Sequence, residues 1–428
     1  MKKFSLPVLG KKIAFSTFVQ VVGKVAQLFL AAATLKIISN YLNQGDYGIY
    51  ATISEYALFF SVAANLGIFG NTVREMSKAP RDGKIFINAL LLRVFTAGIF
   101  FASAVFYLLV RGSDTVFIVG TFMFCSALFF DYVTSVCDGM LQANYLMGRA
   151  MVALVAGRVV HLGVILLITQ SIFPDAVTAN VPLLFVAVLC GSVVTAFLSI
   201  LFVWQKMQWR FELDCAFMVN LFKISLPFGI INILNNLYFR FLPDYFSAEV
   251  MTDEEFATFN VSFRIAQVMS LFSTFLMFSV LPGFKQYLED KEWKKAGLIY
   301  KRVWMILAAC GFLLVTVGSI LGPFALELLT HKKYFMPEFW FILPMMLLLA
   351  AISYGYDLVL ITLFALEEDV WFLKREVFAL LFAGLLFISS FFADSLQLKI
   401  ALIILGAIVG ESFMVVFGAM RIQRRFNR

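Results

Sequence analysis

Long apolar runs, interrupted by short clusters of charge and turn residues, alternate along the whole chain. Twelve of them predict elements at about 13–41, 47–73, 85–110, 116–141, 150–170, 181–204, 221–242, 258–284, 296–321, 339–365, 376–393 and 398–420. A helix needs roughly 20 predominantly apolar residues to cross the hydrocarbon layer. The runs are continuous rather than alternating, so they predict helices and not the strands of an outer-membrane barrel. The fold class that follows is an all-α polytopic membrane protein. The first run, Ile13 to Tyr41, is too long for a signal-peptide core and lacks a clear small-residue cleavage site, so it reads as a retained span.

Polar residues inside these runs are not scattered. On the first span Thr17, Gln20, Lys24, Gln27, Ala31 and Thr34 recur at steps of three and four, which places them on one helix face. Gly229, Asn232, Asn236 and Arg240 do the same on the seventh, and Asn260, Arg264, Gln267 and Thr274 on the eighth. Glu55, Ser61, Asn65 and Thr72 form a less regular stripe on the second. A charged side chain at membrane depth costs at least a few kcal/mol, so such residues pair with one another or face water. The stripes therefore read either as interhelical glue or as the wall of a water-filled cavity carrying positive charge. Their recurrence on spans 1, 2, 7 and 8 favours the cavity. The candidate substrate-binding residues are Lys24, Arg264, Arg240, Gln20, Gln27, Glu55, Asn232, Asn236, Gln267 and Arg93. Arg158 and His161 rank behind these. Asp131, Asp138, Asp357 and Glu411 read as counter-charges, or as ligands for a proton or sodium ion.

Composition agrees with the pattern: 61% of residues are hydrophobic and 14% charged, against about 45–50% and about 25% in soluble domains. Of the 34 Lys and Arg, 24 fall in connections on one side and 4 on the other; Lys24, Lys36, Arg93, Arg158, Arg240 and Arg264 lie within spans. Basic residues concentrate on the cytoplasmic side, which predicts both termini cytoplasmic and the acidic loop 244–255 outside. The net charge of +7 is thus a topology signal and not a nucleic-acid patch. Basic residues in 205–223 and 285–302, with Trp209 and Trp293 among them, suit either a headgroup-facing surface or solvated loops. Five cysteines without a pairing pattern and two histidines imply no disulfide framework and no metal centre. No nucleophile–base pair, phosphate-cradling glycine loop or Walker sequence occurs, so neither catalysis nor direct drive by ATP is expected.

The segment 205–220 divides the spans into six and six. The expected organisation is an N-terminal six-helix lobe (1–204), a cytoplasmic interfacial connector (205–220) and a C-terminal six-helix lobe (221–428). Phe211, Leu213 and Phe217 suggest a short interfacial helix in the connector. "DYGIYATISEY" at the second span and "EFATFNVSFRI" at the eighth give a faint internal echo, in keeping with parallel repeats.

The stretch "ISNYLNQGDYGIYATISEYALFFSVAANLGIFGNTVREMSK" (38–78) is similar to the first helical hairpin of bacterial polysaccharide flippases, the O-antigen transporters of the multidrug/oligosaccharidyl-lipid/polysaccharide exporter superfamily. "SLPFGIINILNNLYFR" (225–240), "FNVSFRIAQVMSLFSTFLMFSVLPGFKQYLED" (259–290) and the region 331–350 follow in family order. Family members often carry Arg-x-Asp near the end of the seventh span; here the run is Arg240-Phe-Leu-Pro-Asp244. The resemblance implies two six-helix lobes around a central cavity formed largely by spans 1, 2, 7 and 8. It also implies a polyprenyl-pyrophosphate-linked oligosaccharide, part of lipopolysaccharide assembly, as the substrate. The cavity cations would map to Lys24, Arg264 and Arg240. The implied activity is translocation from the cytoplasmic to the outer leaflet of the bacterial inner membrane by alternating access, with no cofactor beyond a proton or sodium gradient. Membrane lipids and other glycan-assembly proteins would be partners. Two alternatives stand beside this reading: a cation-coupled multidrug exporter, which the basic stripes disfavour, and a glycan polymerase or ligase. The latter is disfavoured by outside loops of only about 15–17 residues.

Overall fold

All twelve apolar segments are helical, with ends within a few residues of the sequence boundaries for most of them. The computed structural model describes residues 6–79, 82–144, 146–173, 178–205, 207, 209, 211–289, 292–330, 337–366 and 368–426. Within the helices, the side chains of 6–18, 20, 21, 24, 77, 78, 179, 271, 272, 274–286, 288, 289, 325, 326, 328–330 and 369 lie outside that description. The chain divides into two compact units, Met1–Gly229 and Ile230–Arg428.

The first unit contains α1 (Leu6–Tyr41), α2 (Gln44–Asn65), α3 (Ile68–Lys78), α4 (Gly83–Arg111), α5 (Thr115–Ala143), α6 (Met147–Leu167) and α7 (Val181–Trp204). In it, α7 packs against both α5 and α6, α1 packs against α6, and α4 packs against α2 and α5. The second span is not one helix: α2 and α3 meet at a 45° bend. The break is encoded at Leu66 (φ 42°) and Gly67 (φ 67°), two successive left-handed residues that a continuing helix cannot contain. Gly67 is needed for space as well. An added Cβ would lie 2.8 Å from the Ser225 carbonyl oxygen and 2.8 Å from the Gly229 nitrogen.

The seventh span, α8 (Cys215–Asn236), continues through a π turn at Leu237–Phe241 into α9 (Leu242–Val250). Pro243 sits at the start of α9 and has no N–H to give; the wider π turn before it absorbs the missing bond. The second unit continues with α10 (Asp253–Glu289), α11 (Trp293–Thr330), α12 (Ile342–Ala365), α13 (Asp369–Ser389) and α14 (Leu396–Phe426). There α12 packs against α10, α11 and α14, and α13 packs against α14. A capping box starts α10: Thr252 N donates to Glu255 Oε2 at 2.8 Å, and Glu255 N donates to Thr252 Oγ1 at 3.4 Å.

Among the described residues nine helices are long and apolar enough to cross a membrane, and the bent pair α2–α3 makes a tenth. The outer surface is itself apolar: Phe95 and Phe106 are 66% exposed, Phe312 73% and Ile320 76%. In water such a surface would be a large unpaired apolar area, whereas in lipid it costs nothing. The protein is a multi-pass membrane protein. The connector differs from expectation. Described residues 211–214 are not helical, and α8 begins only at Cys215.

Candidate functional site

In the first unit the stripe on α1 is described only in part. Lys24 and Gln20 lie outside the described side chains, and Gln27 is half-buried. Glu55 of α2 is buried, at 5% exposure. Arg93 of α4 is 3% exposed, and its guanidinium is engaged by protein. Nη1 donates to Asn65 Oδ1 at 2.7 Å and reaches the Asn65 carbonyl at 3.5 Å, while Nη2 donates to Ser135 Oγ at 3.1 Å. The same group lies 4.8 Å from the Tyr132 ring centroid, and Tyr132 in turn donates to the Ser61 carbonyl. Asn65 is the last residue of α2, so Arg93 places a cation on the carbonyl end of that helix at the break.

In the second unit Arg264 is half-buried on α10 and donates from Nε to Asn260 Oδ1 at 2.8 Å. Gln267, one turn on, is half-buried as well. Asn236 donates to the Asn232 carbonyl at 2.8 Å, so these two predicted stripe residues do lie together. Arg240 is half-buried with its guanidinium 5.9 Å from the Phe241 ring. It sits inside the π turn, whose extra residue rotates it away from the line that α-helical steps draw through Asn232 and Asn236.

One constellation escaped the sequence reading. Glu376 of α13 and Glu411 of α14 are 0% and 1% exposed. Asn235 donates to Glu411 Oε1 at 3.2 Å and to Tyr238 Oη at 2.9 Å, and Tyr356 donates to Glu376 Oε1. The second oxygen of each carboxylate has no hydrogen-bond partner. Glu411 therefore faces an amide and the carboxylates Glu376 and Asp357, where the sequence suggested a counter-charge to a cation. Asp357 itself accepts from Ser273. Glu376 follows Lys374 and Arg375 and so looks like the end of a charged loop; only packing reveals its burial.

At the span ends, charge clamps hold connections to helices. Asn88 donates to the Glu212 carbonyl at 2.8 Å and accepts from Asp214 N at 2.7 Å, while Lys84 Nζ lies 3.1 Å from Asp214 Oδ2. The Asp214 carboxyl is held below its ordinary range by the Phe217 N–H at the start of α8, and then by Lys84. In the second unit burial pushes the Glu368 carboxyl up, but hydrogen bonds from Arg425 and Arg421 outweigh this and hold it low. A recess of about 260 Å³ between α3 and α8 sets Arg74 beside Glu75 with Asn71 and Asn220, and is not a concentrated anion site. Among the described residues no cluster of three or more metal-ligating side chains occurs.

A family model described as "Polysaccharide biosynthesis protein" matches residues 10–288. No curated protein matches the chain. Several solved structures share its fold. One is an inward-facing multidrug-resistance MATE family transporter of the MOP superfamily, with TM-score 0.72 and 13% identity, covering 96% of this chain and 98% of that one. A MOP superfamily transporter from Pyrococcus furiosus, described as having a binding pocket of reverse polarity that suggests a different function, gives 0.70 and 14%, covering 98% and 96%. An outward-facing MATE transporter gives 0.69 and 14%, covering 97% and 96%.

Proposed function

We propose, for a chain that belongs to the polysaccharide biosynthesis protein family, that it is a flippase for a polyprenyl-pyrophosphate-linked oligosaccharide. It moves the headgroup from the cytoplasmic to the outer leaflet of the bacterial inner membrane by alternating access of two six-helix lobes, with both termini cytoplasmic. Family membership, together with cations kept at membrane depth, carries this reading. A pyrophosphate leaving the headgroup layer must replace its hydration shell, and guanidinium or ammonium groups do so through charge-assisted hydrogen bonds. Lys24 and Arg264 are the proposed pyrophosphate ligands, with Arg240 as a further candidate. Asn232, Asn236, Gln20, Gln27 and Gln267 supply neutral donors, and the polyprenyl tail stays in the bilayer.

Uphill transport needs a driving ion, proton or sodium. The Glu376–Glu411 pair, with an unpartnered oxygen on each carboxylate, is the place we propose for it. The alternative, a cation-coupled multidrug exporter, draws support from the shared fold with MATE transporters. Proteoliposomes holding the full chain separate the two. Translocation of a headgroup-labelled polyprenyl-pyrophosphate glycan, without efflux of cationic dyes, is the expected result. Dye efflux without glycan translocation would replace the flippase by the exporter.

A further inference from the structure

The first unit holds a second polar centre at mid-span, on helices outside the stripes. Asp131 stands near the middle of α5 and Arg158 near the middle of α6, and both are exposed. Asp131 feels the charge of Arg158 and lies within hydrogen-bonding reach of Ser192 on α7. His161, one turn after Arg158, is only 6% exposed, and its Nε2 has no hydrogen-bond partner. The crossing of α6 over α7 is close because Gly157 and Gly191 face each other. A Cβ on either would come within 2.6–2.7 Å of the other's carbonyl oxygen.

Exposure at this depth means facing lipid or facing water, and helix geometry decides between them. Phe122 of α5 is 54% exposed and lies about two and a half turns before Asp131, hence on the opposite face. On α6 the exposed apolar residues Val152 (58%), Val159 (53%) and Leu167 (56%) lie about 100–180° round from Arg158, which therefore stands at the margin of that helix's lipid-facing side. Asp131 is therefore turned away from the lipid-facing side of α5, and a charge at this depth faces water or protein and not lipid, which gives the exposed Asp131 and Arg158 an aqueous side. Asp131 is accessible while crowded by protein atoms, as a residue lining a recess should be.

An acid and a cation within electrostatic reach of each other carry no net charge, so they do not concentrate a pyrophosphate. Together they offer carboxylate acceptors and a guanidinium fork of donors, the complement of adjacent hydroxyls that both give and receive hydrogen bonds. Resting on the flippase reading above, we propose that Asp131, Arg158, His161 and Ser192 form a subsite for the neutral, hydroxyl-rich sugar residues of the cargo, separate from the cations that take its pyrophosphate. The unpartnered His161 nitrogen supplies the buried end of that subsite.

The full chain in nanodiscs tests this with two probes: a panel of free hexoses, deoxyhexoses and N-acetylhexosamines, and a polyprenyl pyrophosphate without sugar. Sugar binding is followed by saturation transfer from protein to ligand. The expected result is that at least one sugar binds the wild type, and that Asp131→Asn and Arg158→Gln each weaken it about tenfold or more, the scale of one charge-assisted hydrogen bond. Affinity for the sugar-free lipid changes less than twofold. Thermal stability measured on the same samples excludes unfolding as the cause. Equal loss for both probes, or sugar binding restored by the exchanged pair Asp131→Arg with Arg158→Asp, would overturn the subsite and leave a structural ion pair. A wild type that binds the lipid but no sugar overturns this inference alone; one that binds neither overturns the flippase reading with it.

Discussion

Replacing Arg93 with methionine removes the brace from the break in the second span, and its cost can be worked from the contacts. Hydrogen bonds from a charged group contribute about 1.5–3 kcal/mol each, and Arg93 makes close ones to Asn65 at 2.7 Å and Ser135 at 3.1 Å. The guanidinium over Tyr132 at 4.8 Å adds about 0.5–2 kcal/mol. Against a gross loss of about 4–8 kcal/mol stands the desolvation cost of the buried cation, several kcal/mol, which the variant no longer bears. The net is a destabilisation of about 2–4 kcal/mol, because Asn65 and Ser135 are left without their donor. For a unit of this size each kcal/mol lowers Tm by about 2–4 °C, so a fall on the order of 5–15 °C is expected for purified protein in detergent. Arg93→Gln keeps one donor toward Asn65 and should lose about half as much. A methionine variant with unchanged Tm that no longer binds polyprenyl pyrophosphate would refute this reasoning, since Arg93 would then serve the ligand and not the break.

Gly229→Leu should fail to fold or fall in yield to a trace by size-exclusion chromatography, since even a Cβ there lies 2.4 Å from the Leu66 backbone; yield equal to wild type would contradict the close crossing. The Asp214 carboxyl is depressed in the folded state, so its contribution is present above the unfolded value of about 3.9 and is lost as pH falls through the folded value. Proteolysis of the connector should accordingly quicken only in the strongly acid range, and Asp214→Asn should bring that faster cleavage to neutral pH. Glu411→Gln should abolish the dependence of transport on a proton or sodium gradient while leaving Tm within a few degrees; retained ion dependence would remove the pair from coupling.

The twelve spans were readable because each is a continuous apolar run, and α7 agrees with its sequence boundaries at both ends. The break in the second span was not, because Asn65 and Thr72 fit the polar stripe of one continuous helix and a lone Gly67 does not by itself end an apolar run. Only the left-handed backbone at Leu66 and Gly67 reveals it. The stripe through Asn232 and Asn236 was visible as a four-residue step, but its extension to Arg240 assumed an α-helical pitch that the π turn interrupts. Glu376 was hidden by its neighbours Lys374 and Arg375, which mark a membrane boundary in one dimension. The carboxylate itself turns inward to Tyr356. Sequence shows how often a polar residue recurs along one helix, whereas burial against a neighbouring helix is set by tertiary packing.

The most direct measurement follows lipid-linked glycan in cells that make the protein at wild-type level with Lys24→Ala or Arg264→Ala. If these cations meet the pyrophosphate, surface glycan falls at least about tenfold per variant, the scale of one charged hydrogen bond, and precursor accumulates on the cytoplasmic leaflet. Surface glycan at the wild-type level in both variants would contradict the account.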